Sequence, residues 1–403
     1  MAESSRRSTN DKPAVTIVTG FLGAGKTTWL TRALAAPHGL RLAVVVNDVG
    51  AVNIDAALVR RVGGEGAAAK TIELTNGCIC CGVRDELAET LAELAAKGGY
   101  DHIVVECSGV AEPQPLVRLF SERNEYGRSL SDYARLHAVL AVVDVSEFLR
   151  HCRGEADGRR RAAREDERPR PLSDLMLEQI EGADIVALNK TDLVAAPAEI
   201  DEAESLVLAV NPRAEIHRAL QSELPAGVWP GADRYAARPE AMATWVRVLN
   251  DSAGRAAAGL HRAAGFGALK RPAKSAPVET SAEKYGLSTF LYAERKPFDA
   301  RRLAALFAAG LPGVVRAKGF LWASERPDDI GFLSLAGGVY RCEPVGTWAA
   351  ALLGRGAISE AEIPAGIRAV WQEPHGDRRQ ELVFIGRGID ESALRRELEA
   401  CLT

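Results

Sequence analysis

The sequence predicts an α/β fold, a P-loop NTPase domain built on a mostly parallel sheet, followed by a smaller α+β domain. Three observations predict it. Short β-branched runs alternate with helical patterns through the first two hundred residues. A glycine-rich phosphate loop follows the first of those runs. Beyond a polar, proline-bearing stretch the pattern changes to strands joined by turn signals, flanked by two helices. Apolar strands separated by helices imply parallel pairing with both sheet faces covered.

The elements follow in order. "AVTIVTG" (14–20) reads as a strand and "KTTWLTRALAA" (26–36) as the helix after it. "RLAVVVN" (41–47) is a second buried strand. "RDELAETLAELAAKG" (84–98) spaces Leu87, Leu91 and Leu94 at helical intervals. "HIVVEC" (102–107), "AVLAVVDV" (138–145) and "DIVALNK" (184–190) are further strands. Residues 153–171 are a charge-dense insert expected as a solvated loop or frayed helix, and 265–284 read as a linker. "LSTFLYAERKPF", "VRAKGFLWAS", "DIGFLSLAGG" and "RQELVFIGRG" are strands of the second domain, with helices at 299–310 and 390–402. The expected division is 12–222 for the nucleotide domain, 223–285 for a connecting segment and 286–403 for the second domain.

Composition narrows the function. The 403 residues carry a net charge of −4, which argues against a general nucleic-acid binder. No apolar run reaches the roughly 18 residues of a membrane span. The polar start "MAESSRRSTNDKPA" has no secretory h-region, so a cytoplasmic protein without membrane attachment is expected. Seven cysteines, three of them crowded together, favour metal or redox chemistry over a disulfide framework in a reducing compartment.

"GFLGAGKT" (20–27) matches the P-loop pattern in full and lies between a strand and a helix. Gly20, Gly23 and Gly25 let the backbone curl so that its N–H groups, with those of Ala24 and Thr28 beside them, face phosphate. Lys26 adds a positive charge toward the β- and γ-phosphates, and the Thr27 hydroxyl suits Mg²⁺. "NKTD" (189–192) follows a strand. The Asp192 carboxylate accepts both donors of the guanine edge, a pair adenine lacks; Asn189 is expected to face the base edge and the Lys190 stem to cover the ring. "VVECSG" (104–109) ends a strand on Glu106, placed to hold Mg²⁺ through water or to orient the attacking water, or simply to cap the turn. Gly109 offers its N–H to a γ-phosphate. "NDVGAVNID" (47–55) puts Asp48 and Asp55 in a nucleotide-sensitive position.

"NGCICCGVRDEL" (76–87) holds Cys78, Cys80 and Cys81. Thiolates suit Zn²⁺ and also Co²⁺ or Cu⁺. Three sulfurs converging after the Asn76-Gly77 turn leave a tetrahedral ion one ligand short, which fits a site that hands metal on. Cys80 as one ligand among others elsewhere, a strained Cys-x-Cys disulfide, and an inert buried cluster are the competing readings. His102 and His137 have no ligand spacing and are expected as core or surface residues.

Together, "GFLGAGKTT" (20–28), "NGCICCGVRDEL" (76–87), "VVECSGVAEPQPL" (104–116), "NKTDLV" (189–194) and "RAKGFLW" (316–322) resemble the CobW-like metallochaperone GTPases, over nearly the whole chain. The resemblance implies slow hydrolysis of GTP with Mg²⁺, catalysed around Lys26, Glu106 and Asp48. It implies binding of zinc, with cobalt as the second option, at the three cysteines, and delivery to a client metalloprotein; a homodimer is left open. The ending 374–402 resembles the zinc-starvation and nitrile hydratase activator subgroups. Two departures stand out: residues 265–285 contain no histidine, where many members carry a metal-holding stretch, and Ala51 stands where some members place a second acid after the one matching Asp48. The rival readings are a small-molecule kinase, which has no use for the cysteines, and a redox-sensing regulator, which needs no metal. The second domain, rich in apolar residues such as Phe320, Trp322 and Trp348, is expected to dock rather than to catalyse.

Overall fold

The computed structural model describes residues 12–36, 39–46, 69–73, 83–123, 127–155, 172–225, 227–230, 233–235, 287–364, 367–368 and 370–403. Two compact units result: Met1–Arg150 with Leu175–Ala241, and His151–Asp174 with Met242–Thr403.

The first unit is built on a seven-stranded sheet: β1 (Ala14–Thr19), β2 (Leu42–Val46), β3 (Ala69–Glu73), β4 (His102–Glu106), β5 (Arg135–Asp144), β6 (Ile185–Asn189) and β7 (Glu215–Arg218). Their spatial order is β3-β2-β4-β1-β5-β6-β7, and every pairing is parallel. Helices α1 (Lys26–Ala35), α2 (Val83–Lys97), α3 (Gln114–Arg118), α4 (Val145–Cys152), α5 (Leu172–Glu181) and α6 (Pro197–Val210) connect them.

The strands carry no polar alternation because both faces are covered. Along β1, β2 and β4, Val15, Ile17, Ala43, Val45, Ile103 and Val105 enter one core with Leu87, Leu91 and Leu94 of α2. Their neighbours Val18, Val44, Val46 and Val104 enter the other core with Trp29 and Leu30 of α1. The helical leucine spacing read from the sequence is thus the buried face of α2. β1 lies at the centre, with the chain spreading outward on both sides. The carboxyl ends of all seven strands therefore share one edge, where ligands of such sheets bind.

The second unit holds an antiparallel sheet of order β11-β10-β9-β12-β8: β8 (Leu287–Glu294), β9 (Val314–Ala323), β10 (Arg326–Ala336), β11 (Val339–Thr347) and β12 (Gln380–Arg387). Helices α7 (Ala300–Ala309) and α9 (Glu391–Glu399), with the short α8 (Ala349–Gly354), complete it. Leu303 and Phe307 of α7 and Leu394 and Leu398 of α9 share one core with Phe290, Phe384 and Leu333 of the sheet. Each long helix starts on an aspartate cap: Asp299 accepts from the N–H groups of Arg301 and Arg302 at 2.9 Å, and Asp390 from that of Ala393 at 2.9 Å. Such a cap contributes about 1 kcal/mol.

Strands β3, β7 and β11 lie outside the sequence-based set. β7 is short and charged, and β11 is an exposed edge strand, so neither carries the apolar run that marks a strand. Trp322 and Trp348, expected among the docking residues, are 7 % and 2 % exposed and pack on Ala351 inside this unit, with Phe320 against them. They are core residues. Most of the charged insert and all of the linker lie outside the described residues, and no described helix is long and apolar enough to cross a membrane.

Candidate nucleotide site

Between β1 and α1 the chain must reverse in six residues, Gly20 to Gly25. Gly20 has φ +141°, and a Cβ there would lie 2.2 Å from the Val142 carbonyl oxygen of the neighbouring strand. Gly25 has φ +112°, and its Cβ would lie 2.5 Å from both Asn189 Nδ2 and Ser222 Oγ. Neither position admits a side chain, so the glycines are fixed by packing as well as by backbone conformation. Ala24 N–H donates to the Phe21 carbonyl at 3.1 Å and closes the turn.

The loop borders a cavity of about 220 Å³ lined by Gly23, Gly25, Lys26, Thr27, Thr28, Glu106 and Gly109, among others. Lys26 is buried, and its ammonium donates to the carbonyls of Gly20 and Phe21 at 2.9 and 3.1 Å. The stem is thereby laid along the loop, and Lys26 lines the cavity. The Thr27 hydroxyl donates to Glu106 Oε1 at 2.9 Å. Glu106, 3 % exposed, pairs in register with Val18 and Val46, so the sheet itself delivers the carboxylate to the P-loop. A hydroxyl and a carboxylate this close form an oxygen donor pair that fits Mg²⁺. Cys107, fully buried beside them, is a thiol: burial pushes its pKa up to about 12 despite the nearby Lys26 charge.

Gly109 lies against the P-loop. A Cβ on it would lie 2.7 Å from both the backbone nitrogen and the Cδ2 of Leu22.

The "NKTD" segment leaves β6 at the same edge. Asn189, expected to face the base, is 2 % exposed and otherwise engaged. Its Nδ2 donates to the Ala24 carbonyl at 2.8 Å and to Ser222 Oγ at 2.9 Å, while its Oδ1 accepts from the Ser222 N–H at 2.7 Å. The Ser222 hydroxyl in turn donates to the Gly25 carbonyl at 2.9 Å. Asn189 thus ties the P-loop to the loop after β7. Lys190 adopts φ 58°, and its ammonium lies 2.8 Å from Asp144 Oδ2. Burial raises the Asp144 pKa, but the bonds from Lys190 and Ser146 outweigh it and hold the carboxyl below its ordinary value. Asp192 is exposed, with Leu193 and Leu220 60 % and 51 % exposed near it in the chain or in the adjoining loop.

The fold therefore brings together Gly20, Gly23, Ala24, Gly25, Lys26, Thr27, Thr28, Glu106, Gly109, Asn189 and Lys190. Asp48, Cys78, Cys80 and Cys81 lie outside the described residues, and among those that are described no group of three His, Cys, Asp or Glu is arranged to hold a metal. Sequence reasoning missed Asp144 and Ser222. Asp144 had a readable signal, as an acid ending a buried strand; it pairs in register with Asn189. Ser222 had none, because its role arises from two loops distant in sequence. His102 and His137 are core residues: their rings stack edge to face at 5.1 Å, His102 Nε2 bonds Thr16 Oγ1 at 2.7 Å, and His137 Nδ1 bonds Asp233 at 2.9 Å.

Residues 14–218 match the model of the CobW/HypB/UreG nucleotide-binding domain, and residues 287–402 that of the cobalamin synthesis protein cobW C-terminal domain. A zinc-regulated GTPase metalloprotein activator 1 of Dictyostelium discoideum is 32 % identical over 97 % of this chain and 80 % of its own length. A zinc chaperone CobW of Pseudomonas aeruginosa is 36 % identical over 55 % of this chain and 60 % of its own. A solved structure of Zn(II)-bound YjiA GTPase from E. coli aligns over 97 % of this chain and 99 % of that one, with 18 % identity and a TM-score of 0.40. With both domains matched in order along its length and a relative 32 % identical over nearly all of it, this chain belongs to the CobW/HypB/UreG nucleotide-binding family.

Proposed function

We propose that this GTPase couples hydrolysis of GTP to the binding and hand-over of a divalent metal, zinc first and cobalt second, to a client metalloprotein. The observation that carries the hydrolytic half is the Thr27–Glu106 pair at the cavity beside the Lys26 ammonium. Lys26 exchanges its loop carbonyls for phosphate oxygens. The Thr27 hydroxyl and Glu106 would hold Mg²⁺, which when bound neutralises charge building on the phosphates. Glu106 orients the attacking water, with Asp48 as a second acid on the segment after β2. Asp192 reads the guanine edge, and Asn189, through Ala24 and Ser222, keeps the base and phosphate loops in register.

The metal half is supported by chain connectivity and by the names of the relatives. Cys78, Cys80 and Cys81 lie between the end of β3 at Glu73 and the start of α2 at Val83. The chain leaves β3 at the same sheet edge as the P-loop, three strands away, or about 14 Å at ordinary strand spacing. A nucleotide site and a metal site at one sheet edge can be coupled energetically. To change metal affinity a thousandfold, the GTP and GDP states must differ by about 4 kcal/mol in metal binding, and metal must change GTP affinity by the same factor.

Titration of the protein with Co²⁺, in the presence of GDP and of a non-hydrolysable GTP analogue, tests this reading. One ion is expected to bind with thiolate charge-transfer and tetrahedral ligand-field bands, to release protons, and to bind differently in the two nucleotide states. Changing Cys78, Cys80 and Cys81 together to serine is expected to remove the bands, leave GTP binding nearly intact and uncouple hydrolysis from metal. A triple variant that still binds one ion tightly and keeps the metal response of hydrolysis ends the delivery mechanism.

A further inference from the structure

We propose that Gln179 is a positioning residue that clamps the segment after Glu106 against the P-loop and so sets the preference for guanosine triphosphate over diphosphate. Gln179 lies on α5 and is 2 % exposed. Its Nε2 donates to the Gly109 carbonyl at 3.3 Å and to the Ala111 carbonyl at 3.1 Å, so both amide hydrogens are spent on two carbonyls of one short segment. That segment begins as an extension of β4, with Cys107 N–H donating to the Val18 carbonyl at 2.9 Å, and then turns, with Ala111 N–H donating to the Ser108 carbonyl at 2.9 Å.

Two contacts place Gly109 between opposing surfaces. Its Cα faces Leu22 of the P-loop so closely that a Cβ would lie 2.7 Å from the Leu22 nitrogen, and its carbonyl is held by Gln179. A second contact, just past the end of α5, reaches the same region: a Cβ on Gly182 would lie 2.4 Å from Gln114 Nε2, at the start of α3. A trans peptide sets C=O and the following N–H in opposite directions. Fixing the carbonyls of Gly109 and Ala111 toward α5 therefore turns the N–H groups of Val110 and Glu112 away from it. The α- and β-phosphates are served by the P-loop, which Gln179 does not touch. Gly109 borders the cavity and is the residue of this segment assigned to give its own N–H to the γ-phosphate, and the clamp on its carbonyl holds that residue in place. This assignment rests on the proposed phosphate site, and it makes loss of Gln179 selective for the triphosphate.

Binding of GDP and of a non-hydrolysable GTP analogue, with Mg²⁺, is measured on the full chain for the wild type, Gln179→Met and Lys26→Ala. Methionine keeps the length and removes both donors. The expected result is a loss of about tenfold in affinity for the analogue, with GDP affinity within about threefold of wild type. A purely structural role lowers both affinities together, and that outcome, like no change in either, overturns the proposal. If Gln179→Met does not fold, Gln179→Asn, one methylene shorter and still polar, is read by the same ratio. Lys26→Ala separates the two levels. If it retains both nucleotides, the phosphate-site reading itself fails. If it loses them while the ratio at position 179 is unchanged, only the role of Gln179 is rejected.

Discussion

At the scale of single residues, the "NKTD" segment divides between a side chain held rigid and one left open. Asn189 has each of its amide atoms engaged, within the P-loop and Ser222, and serves alignment. Ser222 holds φ 59° beside Gln221 at φ 49°, two successive left-handed residues without glycine, a conformation sustained by surrounding bonds. Arg32 of α1 adds two of these, to Gln221 at 3.0 Å and Glu223 at 3.2 Å. Asp192 stays exposed beside Lys190, which Asp144 holds in place. Asp192→Asn is therefore expected to lower GTP affinity by about a hundredfold or more while leaving the melting temperature unchanged, since the carboxylate is exposed and the guanine donor pair loses its acceptor. The same variant is expected to gain affinity for xanthosine triphosphate, whose 2-oxo edge accepts from an amide. Competition binding with the two nucleotides checks this; an unchanged preference places guanine recognition elsewhere.

At the scale of elements, the segment ending at Tyr235 is fastened to β5 by a titratable joint. The N–H groups of Arg234 and Tyr235 both donate to the His137 carbonyl, at 3.0 and 2.8 Å, and the His137 ring bonds Asp233. Burial lowers the His137 pKa from 6.5 and outweighs the opposing pull of Asp233; Arg135 and Arg234 lower it further. Burial raises the Asp233 pKa, but the bonds from His137 and Arg135 prevail and hold it below 3.8. His137 Nε2 is buried without a hydrogen-bond partner, so a proton there would leave a buried N–H donor with no acceptor. Both shifts have the same sign. Below pH 6.5 the unfolded chain protonates this histidine before the folded one does, and near pH 3.8 it protonates the aspartate first, so stability falls as pH falls. His137→Phe is expected to flatten the loss of stability that sets in as pH falls below 6.5 in denaturant titrations. An unaltered pH slope removes His137 as its source.

At the scale of the whole molecule, the first unit needs chain beyond its last strand. Trp229 packs edge to face on Trp29 of α1 at 5.1 Å and on His102 at 5.2 Å, and its Nε1 donates to Thr16 Oγ1 at 3.0 Å. A fragment ending at residue 222 leaves these partners bare, although it holds every nucleotide-side residue. A fragment ending at residue 241 keeps them. The shorter fragment is expected to melt roughly 10 °C lower, the effect of losing a packed tryptophan and its bonds, and both are expected to bind GTP when folded. Equal melting temperatures exclude the 227–235 segment from the fold of this unit. A folded shorter fragment that cannot bind nucleotide ends the division of labour between the two units.

The glycine-rich loop was legible in the chain because its geometry is local. A loop from Gly20 to Thr27 encodes its own curl, its charge and its position between strand and helix, and "NKTD" follows an apolar run that can only be a buried strand. The all-parallel sheet was legible for the same reason: unbroken β-branched runs fit only strands covered on both faces. What tertiary structure alone decided is which distant groups meet. Glu106 reaches Thr27 through strand register, Ser222 bonds Asn189 and Gly25 through the crossing of two loops, and Gln179 reaches Gly109 from a helix that carries no motif. Nothing in a local pattern records such meetings, since each depends on strand order and on helices crossing that order. The same limit explains the aromatic residues of the second unit: composition shows that Trp322 and Trp348 are apolar, but only packing shows that the unit's own core consumes them.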